Sequence, residues 1–154
     1  MTVRPHRLPA LLAAPAVAAV LLSCGDSAGP GELEACRAGG AAVRVRGFPE
    51  PVVTWEPACL AGGLVVLDTA DRADPVRWYL HGAPGAGEPR TPRRLNVVRP
   101  GLRYGAEPPR TQTVTAPQPL RRGVHYVVAV FRVEGVDEGG TTHRLTVGSA
   151  DYAP

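Results

Sequence analysis

Lysine is missing from this chain: all 17 of its strongly basic side chains are arginine, set against 14 acids for a net charge of +3. The charges are interspersed rather than massed. The densest basic group, Arg93, Arg94, Arg99 and Arg103, lies in a proline-rich stretch without aromatic rings between its members. A nucleic-acid surface wants cations interleaved with stacking rings, so no nucleic-acid partner is indicated. Cysteine is scarce, at three residues, and no two have the CxxC spacing of a zinc ribbon or a redox pair. His81, His125 and His143 have no ligand spacing, and no serine occupies a G-x-S-x-G elbow. Glycines 82, 85 and 87 do not form a phosphate-binding loop ahead of a helix. Glu50 and Glu56 would lie about 20 Å apart on an extended strand, too far for a glycosidase pair. Taken together, these gaps predict a chain that is not an enzyme and carries no cofactor and no metal.

What the chain does have begins at its N-terminus. Arg4 and Arg7 precede residues 8–22, which hold no charged and no polar side chain. This is the pattern of an export signal, set aside before fold reasoning. Fifteen apolar residues interrupted by Pro9 and Pro15 are too few to span a bilayer comfortably. Leu21-Leu22-Ser23-Cys24, followed by Gly25, resembles the lipobox of bacterial lipoproteins, although Leu22 is bulkier than the usual small residue. The resemblance implies diacylglyceryl attachment at Cys24, removal of residues 1–23, and attachment to a membrane on the non-cytoplasmic side of a bacterial cell envelope. Gly25 stands where a retention-signalling aspartate would, which favours the outer membrane in a didermic organism. A plain secretory signal and an uncleaved anchor are the alternatives.

Cleavage before Cys24 would leave 131 residues, enough for one domain, with fifteen arginines facing fourteen acids. Cys36 and Cys59 then remain as a pair, and an oxidising compartment predicts a disulfide between them worth roughly 3 kcal/mol through the unfolded state. Residues 24–40 have the small and acidic composition expected of a lipidated cysteine with a flexible tether.

Beyond Gly40 the apolar residues alternate or form short β-branched runs, and none keeps a helical period. Strands are expected at 41–46, 52–55, 64–67, 76–80, 124–133 and 145–147, with weaker ones at 95–98 and 111–115. Prolines mark 82–94 and 105–119 as surface loops or edges. Seven or eight short strands at this spacing indicate an all-β sandwich or barrel. Thr54-Trp55-Glu56-Pro57 and Leu120-Arg121-Arg122-Gly123-Val124-His125-Tyr126 resemble the early tryptophan strand and the tyrosine corner of a fibronectin type III or immunoglobulin-like domain. The resemblance covers about residues 41–149 and leaves 150–154 as a tail. It implies that Leu120 and Tyr126 hold a turn while Val128 and Val130 continue the buried face. Arg122 departs from the family's turn proline, and Cys36–Cys59 is not the central inter-sheet pair of antibody domains.

Both faces of 124–133 are apolar. A covering loop, a bulge that redirects Phe131, or a partner-binding surface would each account for this. The expected function is that of a non-enzymatic, lipid-anchored cell-envelope interaction or structural module contacting an envelope protein or glycan through Phe131 or the two proline-rich loops. The alternative is a carbohydrate or small-ligand-binding lipoprotein using Arg77, Trp78 and Tyr79.

Overall fold

The computed structural model describes residues 33–154, so the apolar start and Cys24 lie outside the described residues. Eight strands form two antiparallel sheets. β1 (Ala42–Arg46), β2 (Val52–Glu56) and the two-residue β5 (Leu102–Arg103) make the smaller, in the order β1-β2-β5. The larger has the order β6-β4-β3-β7-β8. Its members are β3 (Gly63–Asp68), β4 (Val76–Gly82), β6 (Thr111–Thr115), β7 (Tyr126–Val136) and β8 (Thr142–Tyr152). One helical turn, α1 (Pro92–Leu95), interrupts the β pattern.

Alternation builds the core. Val53 and Trp55 of β2 face Leu64, Val66, Trp78, Leu80, Tyr126, Val128 and Val130 of the larger sheet, and all are essentially inaccessible. Each such side chain contributes roughly 1.5–3 kcal/mol by leaving water. The sheets also join along one edge: the Gly39 and Ala41 N–H groups donate to the Thr146 and Val147 carbonyls, at 2.9 and 3.1 Å. Gly148 permits this approach, because a Cβ there would overlap the Ala41 carbonyl.

Several elements differ from the sequence expectation for local reasons. Residues 92–95 form a helical turn where a strand over 95–98 was expected: Pro92 supplies a fixed φ at the first helical position, and Leu95 turns inward. Only Val98 keeps a strand contact, a bridge to Ala61. β8 runs from Thr142 to Tyr152, well past the expected 145–147 and into the expected tail, because β7 offers it a partner along nearly its whole length. The Tyr152 hydroxyl ends this strand by donating to the Gly47 carbonyl. At the other end of the domain, Ala35 already bridges Leu60, inside the stretch expected to be tether.

The second face of β7 is explained in part by a covering segment. The α1 segment covers Val133, while Phe131 is covered by Tyr79 and Arg144; Val127 and Ala129 stay half-buried. A bulge does occur beside Phe131, but the extra residue is Val147 of β8. β7 keeps unbroken register with β3 from Tyr126 to Phe131, so Phe131 stays on the outer side.

Candidate functional site

The residues proposed from sequence as ligand contacts are placed by the fold in three different settings. Trp78 is fully buried in the core and packs edge-on against Tyr104 at 5.1 Å. It presents no ring to solvent, which corrects its assignment as a contact residue. Arg77 is corrected for a different reason. It sits in the β3–β4 irregularity, where Val66 pairs with Trp78 and Leu67 pairs with Val76. Its guanidinium donates to Asp68 at 3.0 Å, to Asp71 at 2.5 Å and to Gln118 at 2.9 Å. Asp68 is itself only 1% exposed.

This charge cluster is satisfied internally. Burial pushes the Asp68 carboxyl up, but the Ala70 and Asp71 N–H groups and the Arg77 guanidinium outweigh it and hold the group below the ordinary aspartate range. Asp71 is lowered mainly by the Asp74 N–H and then by Arg77. The Tyr104 hydroxyl lies 2.7 Å from the Gln118 carbonyl and 3.0 Å from that of Arg77, donating to one at a time. Burial pushes it up to about 12. Beside this cluster, the Arg121 N–H donates to the Tyr126 hydroxyl at 2.8 Å. Tyr126 thereby ties the incoming loop to the start of β7.

Tyr79 and Phe131 do meet, on the outer face of the larger sheet, with ring centroids 6.0 Å apart. The Arg144 guanidinium lies over both rings, 5.3 Å from Tyr79 and 5.2 Å from Phe131. Phe131 is only 8% exposed, so Arg144 caps this pair and leaves little ring to offer a ligand. Burial raises the Tyr79 hydroxyl above the ordinary tyrosine range, with Arg144 pulling part of the way back. The histidines do not converge. His81 turns its Nδ1 to the Gly82 carbonyl, while His125 and His143 lie near opposite ends of β7, roughly 30 Å apart along the strand. Among the described residues, no group of three or more histidine, cysteine, aspartate or glutamate side chains is placed to hold a metal.

A groove of about 1410 Å³ lies at the far end of the sandwich from Asp68. Its construction starts where β3 stops. β7 runs on past Phe131 without a β3 partner, and the Asn96 side chain takes the vacant place. Asn96 Oδ1 accepts from the Val133 N–H at 2.9 Å, and Nδ2 donates to the Val133 carbonyl at 2.9 Å. A buried side-chain amide thus behaves as one more strand residue. Gly82 lets the α1 turn lie this close, since a Cβ there would overlap the Leu95 carbonyl.

The opposite wall is the entry of the chain into the domain. Cys36 is disulfide-bonded to Cys59, with Cα atoms 4.9 Å apart. The Cys36 N–H donates to the Leu60 carbonyl at 2.9 Å, and Arg132 donates to the Cys36 carbonyl at 2.9 Å. Leu33, Leu60, Val97 and Leu102 supply apolar floor between these walls.

Five arginines and two glutamates line the groove. Arg132 is paired with Glu134, while Arg94 and Arg110 converge on Glu88 at 3.1 and 2.8 Å. Arg93 and Arg99 are exposed and have no acidic partner among the described residues. The sequence marks Arg93, Arg94 and Arg99 as a basic run, and 105–119, which holds Arg110, as a contact loop, but gives no sign of Arg132 or Asn96. Arg103, the fourth member of that run, points elsewhere and pairs with Glu50 at 3.5 Å. The run of arginines was the usable signal; the concavity they share is a product of tertiary structure. The chain matches no protein-family model, no curated protein and no solved structure.

Proposed function

We propose that this protein is a non-enzymatic, lipid-anchored module of the bacterial cell envelope, held by diacylglyceryl at Cys24 and making its contacts through the arginine-rimmed groove. The observation that carries this reading is the position of the groove. Its wall includes Leu33, Glu34 and Ala35, so the chain enters the domain at the groove. Leu21-Leu22-Ser23-Cys24 supports the anchor itself. Guanidinium groups without acidic partners, above an apolar floor, suit an anionic component of the envelope.

The domain is further proposed to be fibronectin type III-like. In support, Trp55 is buried on an early strand, and the Tyr126 hydroxyl accepts from the Arg121 backbone five residues upstream. The first two strands and the fifth form one sheet, while the third, fourth, seventh and eighth adjoin in the other. The carbohydrate-binding alternative loses Trp78 to the core and Arg77 to its ion pairs, and no aromatic side chain lines the groove.

Non-reducing peptide mass spectrometry on protein from the host membrane fraction tests the anchor. An N-terminal acylated Cys24 in a chain carrying the Cys36–Cys59 link supports it. An unmodified Cys24 after cleavage elsewhere overturns it.

A further inference from the structure

The chain enters the domain beside the groove. Eight residues lie between Cys24 and Leu33, and the nine steps from one to the other reach at most about 32 Å. From Leu33 onward the chain is fixed: Ala35 bridges Leu60, Cys36 is crosslinked to Cys59, and Arg132 holds the Cys36 carbonyl. The entry cannot swing away from the groove without breaking these ties. A membrane holding Cys24 would therefore lie within about 32 Å of Leu33, at the groove.

The chemistry of the groove restricts what it accepts. Its lining has five guanidinium groups and two carboxylates; Arg132 is taken by Glu134, and Arg94 and Arg110 share Glu88, which leaves Arg93 and Arg99 against Glu34. Neutral sugars are held largely by stacking on aromatic faces, and none of the lining residues is aromatic. Guanidinium forks match phosphate oxygens, and the attraction acts within about 10 Å at ordinary ionic strength. The floor of Leu33, Leu60, Val97 and Leu102 suits the less polar glycerol region beneath a phosphate.

We propose that the groove docks the domain onto anionic phospholipid headgroups of the membrane that carries the Cys24 lipid, with Arg93 and Arg99 as the principal contacts; the proposal rests on the lipid-anchored reading above. The lipid sets the distance, and the arginines set the orientation, groove end down. The Arg77–Asp68 end then faces away from the bilayer.

Hydrogen exchange on the full chain, isolated from host membranes and reconstituted into vesicles, tests this. One set of vesicles is phosphatidylcholine alone, and the other contains about one-third phosphatidylglycerol. Exchange of the backbone amides at 93–99, 101 and 110 should slow on the order of ten-fold in the anionic vesicles, and the difference should shrink at about 0.5 M salt. Arg93→Glu with Arg99→Glu should abolish the difference while β3 and β7 keep their own protection, which controls for folding. Equal protection in both vesicles overturns the proposal, as does a difference that survives the double substitution. Protection by polyglutamate, with none from phosphatidylglycerol, also overturns it and assigns the groove to an acidic polymer. The intact mass of the same sample reports acylation. An unacylated Cys24 overturns the anchor reading alone, and the vesicle contrast still decides the headgroup contact.

Discussion

At one end of the sandwich, Arg77 is surrounded by Asp68, Asp71 and Gln118 and is 8% exposed; at the other, Arg93 and Arg99 stand in solvent at the rim of a groove. β3 spans the distance between these two ends, with Asp68 at its last position and Gly62, just before its first, against the Asn96 shelf. The same side chain thus closes one end and opens the other. What differs is the supply of acids. Near Arg77 two aspartates and a glutamine saturate the guanidinium. Near α1 a single glutamate, Glu88, serves both Arg94 and Arg110, leaving Arg93 and Arg99 over. A charge whose partners are built into the fold contributes to structure; Arg93 and Arg99, without them and beside a groove, are available to a ligand.

Substitutions can break this contrast, beginning with the largest effect. Arg77→Ala removes the nearest cation from two aspartates, leaving the buried Asp68 only Arg121 at 3.4 Å, and should lower the melting temperature on the order of 10 °C by calorimetry. The same pair governs acid sensitivity. The folded Asp68 and Asp71 carboxyls are below their ordinary range, so their stabilisation is complete above the unfolded-state value of about 4 and is lost as the pH falls through the lower folded values. Arg77→Ala should flatten that acid limb relative to wild type.

Next comes Asn96→Ala, which leaves the Val133 N–H and carbonyl without partners in a buried place. It should cost about 2–3 kcal/mol in urea unfolding and loosen the groove shelf. Tyr126→Phe removes one hydrogen bond at the closed end and should cost about 1 kcal/mol by the same measurement. Smallest are Arg93→Ala and Arg99→Ala. As unpaired surface positions they should change stability by no more than about 0.5 kcal/mol while weakening any anionic contact. A large stability loss from either would mean that the open end has structural partners after all.

The closed end was more legible in the sequence than the open one. Alternation gave Trp78 and Leu80 a common face, and the six-residue step from Leu120 to Tyr126 marked the corner whose hydroxyl accepts the Arg121 N–H. The carbohydrate-binding alternative misplaced both Arg77 and Trp78: alternation already set Trp78 beside Leu80, and nothing local shows that Asp68, nine residues away, lies against Arg77. At the open end the decisive features are nonlocal. Asn96 acts as a strand residue only because β7 outruns β3. β5 is two residues long, too short for any periodic signal, and Pro92 starts a helical turn at the edge of an apolar stretch that resembles a strand. The polar ends of β8, Thr-His-Arg and Ser-Ala-Asp, lack strand character by themselves and extend only against β7.

The most direct test places a photo-crosslinking amino acid at Arg99, on the open end, or at Arg72, in the exposed loop of the closed end, and irradiates intact host cells. The account predicts adducts with an envelope component from position 99 and essentially none from position 72. Equal labelling from both positions, or a stronger signal from 72, would contradict a module that meets its surroundings groove end first.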